Sequence, residues 1–332
     1  MLPDSHQTIS HAETRFLHRR LEISRRDTNH QQPHGPSLGD YSYLATGGAL
    51  GDSLFFFCSG YTLFLGRDAS FFNWYKRRIN RIYPTIFAWA IACCAIWSIS
   101  TDFLDILVAG GGWFIKCLMI YYAVLWFVKR YCRQRLGAVF ILASAIIFVR
   151  FYIGGGVISG ANVYEDPLRY WMFFLTMLAG AMLGVRRNTA PYNPGRAWVN
   201  LLMLVACAVV FYAMLYFGKR EGMALLQVFT VFPMVGFAEY FYRLCNCRLS
   251  RSLYDNRITG PVIKCIGGLC LEIYLVQFQL FTDKMNSIFP LNLFVMFLII
   301  IAGAYILRCA SRIWKQTFSD SNYDWKEIVN PY

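Results

Sequence analysis

Charge is scarce in this chain. Asp, Glu, Lys and Arg supply 15% of its 332 residues, against about a quarter in ordinary soluble domains, and too few polar groups remain to cover a water-exposed surface. Histidine is missing after His34, and the eleven cysteines show no even spacing that would indicate a disulfide framework. Most cysteines lie inside apolar runs (Cys58, Cys93, Cys94, Cys117, Cys207, Cys265, Cys270, Cys309) and read as small apolar residues. Cys245 and Cys247 have no histidine nearby to complete a zinc site, so no metal is expected. The loop Gly154 to Gly160 holds three successive glycines but no lysine follows it, which excludes a phosphate-binding loop of the P-loop type.

What the chain has in abundance is apolar length. Hydrophobic residues make up 57% and mean hydropathy is +0.39. The apolar residues fall into blocks of about 17 to 22, enough to cross a hydrocarbon layer of roughly 30 Å at 1.5 Å per residue. This predicts an all-α, polytopic transmembrane helical bundle of about nine spans: Ala49 to Leu65, Thr85 to Ser100, Trp113 to Val128, Leu136 to Ile153, Leu168 to Val185, Trp198 to Phe217, Met223 to Tyr242, Ile263 to Thr282 and Leu291 to Leu307. Ring-bearing residues near the span ends, such as Trp74, Tyr83, Trp113, Trp126, Trp171 and Trp198, fit an interfacial belt.

The net charge of +13 follows topology. Alternate connections, their adjoining helix ends and the C-terminal tail hold 21 of the 32 lysines and arginines, whereas the intervening side holds six and includes Asp102, Asp105, Glu165 and Asp166. This positive-inside asymmetry orients the tail and the Lys76 to Arg81 cluster toward the cytoplasm and removes the need for a nucleic-acid partner.

Residues 1–43 differ: they are polar and carry all five histidines, without the apolar core of a signal peptide. They read as a disordered or non-native extension. Nine spans and a cytoplasmic C-terminus leave the arginines of this segment outside, and one further helix ahead of Ala49 resolves that conflict. The expectation is a first span absent from this sequence, through a late start or an altered reading frame.

Lys76, Arg77, Arg78 and Arg81 follow directly on the apolar helix Leu54 to Tyr61. Arg78 and Arg81, at i and i+3, can present two planar guanidiniums to a phosphate group, while Lys76 and Arg77 add field. The competing reading is a basic cluster that only anchors the helix among anionic lipids. Among the intramembrane polar residues, Glu272 lies in mid-span and can pair with Arg150 or Lys116 from a neighbouring helix, as an ion pair or a catalytic group. Asp52 suits a helix N-terminus, and Ser59-Gly60 suits close helix packing.

Four stretches together resemble acyltransferase family 3, the integral membrane O-acyltransferases. They are Leu54-Phe55-Phe56-Phe57-Cys58-Ser59-Gly60-Tyr61, the basic run Tyr75 to Pro84, Trp113-Phe114-Ile115 with Tyr121-Tyr122, and Leu271-Glu272-Ile273-Tyr274-Leu275-Val276-Gln277. The resemblance implies ten spans in an intact member, a transmembrane acyltransferase-like domain over 44–315 and a cytoplasmic tail over 316–332. It also implies transfer of an acetyl or short acyl group from acyl-CoA to a hydroxyl of a surface glycan or lipid-linked sugar at the bacterial inner membrane, with Arg77, Arg78 and Arg81 as donor-binding residues. Two departures stand out. The family's first span carries an arginine followed after ten residues by an essential histidine. Here only Arg19 and His30 have that spacing, and Arg20, Glu22, Arg25, Arg26 and Asp27 between them cannot sit in hydrocarbon. Gln277 stands where the family often has histidine, and an amide hydrogen-bonds a hydroxyl without acting as a base. No catalytic base is assigned, with Glu272 and Gln277 as the candidates. A multi-pass transporter or flippase of a polar small molecule or glycan intermediate is the alternative, without a convincing internal repeat to support it. The sequence does not read out the oligomeric state.

Overall fold

Backbone N–H and C=O groups find no partners in hydrocarbon, so apolar blocks of this length must satisfy them internally as helices. The computed structural model describes residues 48–97, 112–153, 163–164, 168–189, 193–220, 222–319 and 322–330. The N-terminal extension with Arg19 and His30, the acidic residues Asp102, Asp105, Glu165 and Asp166, and the glycine loop lie outside the described residues. Of those described, 85% are helical and none is in a strand.

The helices are α1 (Gly48–Leu65), α2 (Phe71–Trp97), α3 (Gly112–Tyr131), α4 (Leu136–Ile153), α5 (Leu168–Thr189), α6 (Ala197–Phe217), α7 (Leu225–Phe229), α8 (Val231–Cys245), α9 (Arg248–Asp255), α10 (Thr259–Gly268), α11 (Cys270–Leu280), α12 (Leu291–Thr317) and α13 (Trp325–Val329). Among the described residues eight segments are long and apolar enough to cross a membrane, and α10 with α11, bent by 61°, makes up to nine. The protein is a multi-pass membrane protein. The bend at Leu269 follows the pair Gly267-Gly268, where helices lose side-chain support and kink.

The described chain falls into two units. The smaller comprises Gly48 and Val276–Ala302, where the buried Asn292 side chain donates to Asn286 Oδ1 at 3.3 Å. The larger holds Ala49–Leu275 with the chain from Gly303 onward. Within it α4 packs on α5, α8 on α5 and α6, and α2 on α3.

One aromatic cluster joins three of the stretches that the sequence singled out. The Phe56 ring lies 4.7 Å from Phe114 and 5.4 Å from Phe173, and Phe114 lies 4.4 Å from Tyr274. Close backbone approach then locks α1 to α5. A methyl group on Gly60 would overlap the Met177 carbonyl, and one on Gly180 the Phe57 carbonyl, so both positions need hydrogen in place of a side chain.

The sequence reading started the second span at Thr85, with the basic cluster in the preceding connection. Instead α2 begins at Phe71 and carries the whole cluster as helix, Pro84 included. Lysine and arginine are good helix formers, and their long stems let a helix project past the hydrocarbon. Pro84 lacks an N–H, which leaves the Asn80 carbonyl without its helical donor.

The start of α2 is fixed by a buried cation. Lys129 Nζ donates to the Leu63 and Gly66 carbonyls at 3.2 and 2.6 Å and pairs with Asp68 at 3.0 Å, which uses all three ammonium hydrogens on the end of α1 and the short connection. Trp126 Nε1 adds a bond to the Ala69 carbonyl at 3.0 Å. The Lys129 hydrogen bond, with help from Arg133 and Arg130, holds the Asp68 carboxyl below its ordinary value of 3.8. Because the folded value is the lower one, the contribution of this contact is present above pH 3.8 and is lost as pH falls through the folded value. Thermal melting in detergent between pH 5 and pH 3 is therefore expected to show a loss of stability that Asp68→Asn reduces. A second expectation concerns packing: Gly180→Val should lower stability by about 1–3 kcal/mol through overpacking, measured by the same melts.

Candidate functional site

Helix α2 has two faces. Trp74, Arg78 and Ile82, at i, i+4 and i+8, form its inner stripe, with Trp74 only 1% exposed. The Arg78 guanidinium lies 3.8 Å from the centre of the Trp74 ring, and its Nη1 donates to the Trp74 carbonyl at 3.2 Å. Arg77 and Arg81, at i and i+4, share the other face. The pairing expected between Arg78 and Arg81 thus gives way to Arg77 with Arg81, because the helical period commits the Arg78 position to the apolar stripe.

Arg77, Asn80, Arg81, Pro84 and Thr85 form one wall of an open cleft of about 390 Å³. The opposite wall is the last part of α12, with Arg308, Ser311, Arg312 and Lys315 at i, i+3, i+4 and i+7. Stacking of Phe87 on Trp314, centroids 6.1 Å apart, brings the two helices together. Glu272 of α11 also lines the cleft. Five cations therefore face one carboxylate. A second hollow of about 410 Å³ shares Arg77 and Asn80 and is lined further by Ala69, Asn73 and Lys76, which extends the cationic surface along α2.

Glu272 is committed to Arg308. Arg308 Nε lies 3.3 Å from Oε1 and Nη2 3.3 Å from Oε2, and Nη2 also donates to the Gly268 carbonyl. The side chains are 5% and 16% exposed. The partners expected from sequence were Lys116 and Arg150, both of which are exposed here. Sequence does not point to Arg308 as the partner, because it lies near the end of its span, where a cation fits the positive-inside pattern. The bend explains the choice: it opens the helix at Gly268, and one guanidinium satisfies both the freed carbonyl and the nearby carboxylate. Gln277, on the same helix, belongs to the smaller unit, where it is half-buried.

Other polar residues of the spans have partners of their own. Gln227 Nε2 donates to the Gly218 carbonyl at 2.8 Å while its Oε1 accepts from Val163 N at 3.1 Å. Glu239 pairs with Arg243 at 2.8 Å. Asp52 sits in the second turn of α1, one turn beyond the cap position expected of it, and interacts electrostatically with Arg169, whose guanidinium lies 4.6 Å from the Trp113 ring centre. Among the described residues no cluster of three or more metal-ligating side chains occurs. The wall on α12 was not expected from sequence; the signal that points to it is four polar residues at helical spacing, Arg308, Ser311, Arg312 and Lys315.

A family model of an acyltransferase domain, that of acyltransferase family 3, matches residues 26–309. The chain belongs to acyltransferase family 3. No curated protein and no solved structure matches it significantly. Three of the stretches that carry the resemblance, on α1, α3 and α11, meet in the aromatic core of this family 3 chain. Arg312 and Lys315 lie just beyond the matched region, although they line the same cleft as Arg77 and Arg81.

Removing one partner of a buried ion pair strands the other at a cost of about 3–5 kcal/mol, whereas replacing both with apolar residues is often neutral. Glu272→Met and Arg308→Met are each expected to lower the melting temperature in detergent markedly, and the double variant is expected to recover most of the loss.

Proposed function

We propose that this protein is an O-acyltransferase of the bacterial inner membrane that takes an acetyl or other short acyl group from acyl-CoA, acetyl-CoA being the simplest donor. The acceptor is a hydroxyl of a surface glycan or lipid-linked sugar. The observation that carries this reading is the cleft in which Arg77, Arg81, Arg308, Arg312 and Lys315 converge with a single, already paired carboxylate. Such a surface suits a ligand with several phosphates, and arginine pairs phosphate bidentately through charge-assisted bonds. The volume falls within the range of about 300–1,000 Å³ typical of small-molecule sites, and the adjoining hollow leaves room for an elongated donor. With positive charge directed inward, the cleft faces the cytoplasm, where acyl-CoA is made.

Acyl transfer needs the hydroxyl oxygen to attack the thioester carbonyl, a base to accept the hydroxyl proton, and departure of the coenzyme thiolate. In this reading the cleft supplies the grip on the donor. Glu272, clamped at both oxygens, serves the helix bend; Gln277 is suited to hydrogen-bond a hydroxyl but not to take its proton. No described residue is assigned as the base, and all five histidines lie outside the described residues.

The alternative of a transporter or flippase has one observation in its favour, the bent span α10–α11, since discontinuous helices mark transport sites. Proteoliposomes distinguish the two: acyltransfer or hydrolysis of labelled acetyl-CoA supports the enzyme, and uptake without either supports the transporter. For the donor grip itself, Arg77→Ala and Arg81→Ala are each expected to raise the Kd for acetyl-CoA about tenfold, the loss of one charge-assisted contact. Arg78→Ala should leave it within about twofold, because that side chain is spent on Trp74. Calorimetric titration of detergent-purified protein reads all three.

A further inference from the structure

We propose that residues 323–330, beyond the matched family region, form a working part of the cleft by positioning Arg312 as a further donor-binding residue. This rests on the acyl-CoA reading. Arg312 lines the cleft, and its Nη1 donates to the carbonyls of Glu327 at 2.6 Å, Ile328 at 3.3 Å and Asn330. These are carbonyls at the end of α13, which have no helical donors of their own. An arginine left to itself must lose rotamer freedom when it grips an anion. The carbonyls have already taken that freedom, and being neutral they leave the guanidinium charge available.

The tail is firmly seated. Five residues do not make a stable helix alone, yet Asp324 caps α13 through Lys326 N and Glu327 N at 2.9 and 3.1 Å, and Ile328 is 2% exposed. Three side chains of α12 hold it from below. Tyr305 donates to the Val329 carbonyl at 2.6 Å, Gln316 accepts from Asp324 N at 2.9 Å and donates to the Glu327 carboxylate at 3.2 Å, and Thr317 meets Tyr323 at 2.9 Å. The same helix that carries the cationic stripe thus carries the platform that orients one member of it.

The test is acetyl-CoA binding to the full-length protein and to Arg312→Ala, Ile328→Asp, Ile328→Val and Arg312→Ala/Ile328→Asp, each checked for a monodisperse elution profile. Arg312→Ala and Ile328→Asp are each expected to raise Kd about five- to tenfold, Ile328→Val should bind as the parent, and the double variant should be no weaker than Arg312→Ala alone. A variant lacking residues 320–332 serves as a second way of removing the tail and should match Ile328→Asp. Parent-like affinity in both tail variants, or multiplying effects in the double variant, overturns the proposal. If Arg77→Ala and Arg81→Ala weaken binding while the tail variants do not, this proposal alone fails. If those two arginines are also without effect, the donor reading fails and takes this one with it.

Discussion

The cleft depends on the ion pair between Glu272 and Arg308. A carboxylate and a guanidinium that face lipid are expensive, and a helix bent inside a membrane exposes backbone carbonyls that hydrocarbon cannot satisfy. Arg308 answers both demands at once, bonding Glu272 at both oxygens and the Gly268 carbonyl at the bend. With Glu272 neutralised in place, the remaining cations of α12 and α2 face one another without a competing acid, which is the arrangement that the proposed anionic donor needs.

A second constraint works at the other end of α2. Lys129 gathers the carbonyls at the end of α1 and the Asp68 carboxylate into one anchor, which sets where α2 begins. From that start the helical period decides the rest. Trp74, Arg78 and Ile82 turn inward, and Arg77 and Arg81 turn to the cleft. Side chains within one basic run therefore have different jobs, and the difference comes from their register against two apolar neighbours.

Much of the fold was legible because apolar length and charge spacing suffice to mark spans: α1, α3, α4, α5, α6 and α12 begin within a residue or two of the expected positions. The start of α2 was not, since arginines and lysines read as a connection although they favour helix. Nor was the bend at Leu269, where a continuous apolar run hides the effect of Gly267-Gly268. At the candidate site, the basic cluster was visible but its pairing was not. Trp74 and Ile82 held the clue, as apolar residues eight apart with Arg78 midway. Arg308, Arg312 and Lys315 were read only as charges that orient the chain, because nothing local in sequence says that α12 comes back to α2.

Photoaffinity labelling tests the central claim most directly. An acetyl-CoA analogue with a photoreactive group on the adenine, irradiated with the purified protein and followed by peptide mapping, is predicted to give adducts within 69–85 and 305–316 that excess unlabelled acetyl-CoA suppresses. Suppressible adducts confined to other helices would contradict the account, as would labelling that unlabelled donor leaves unchanged.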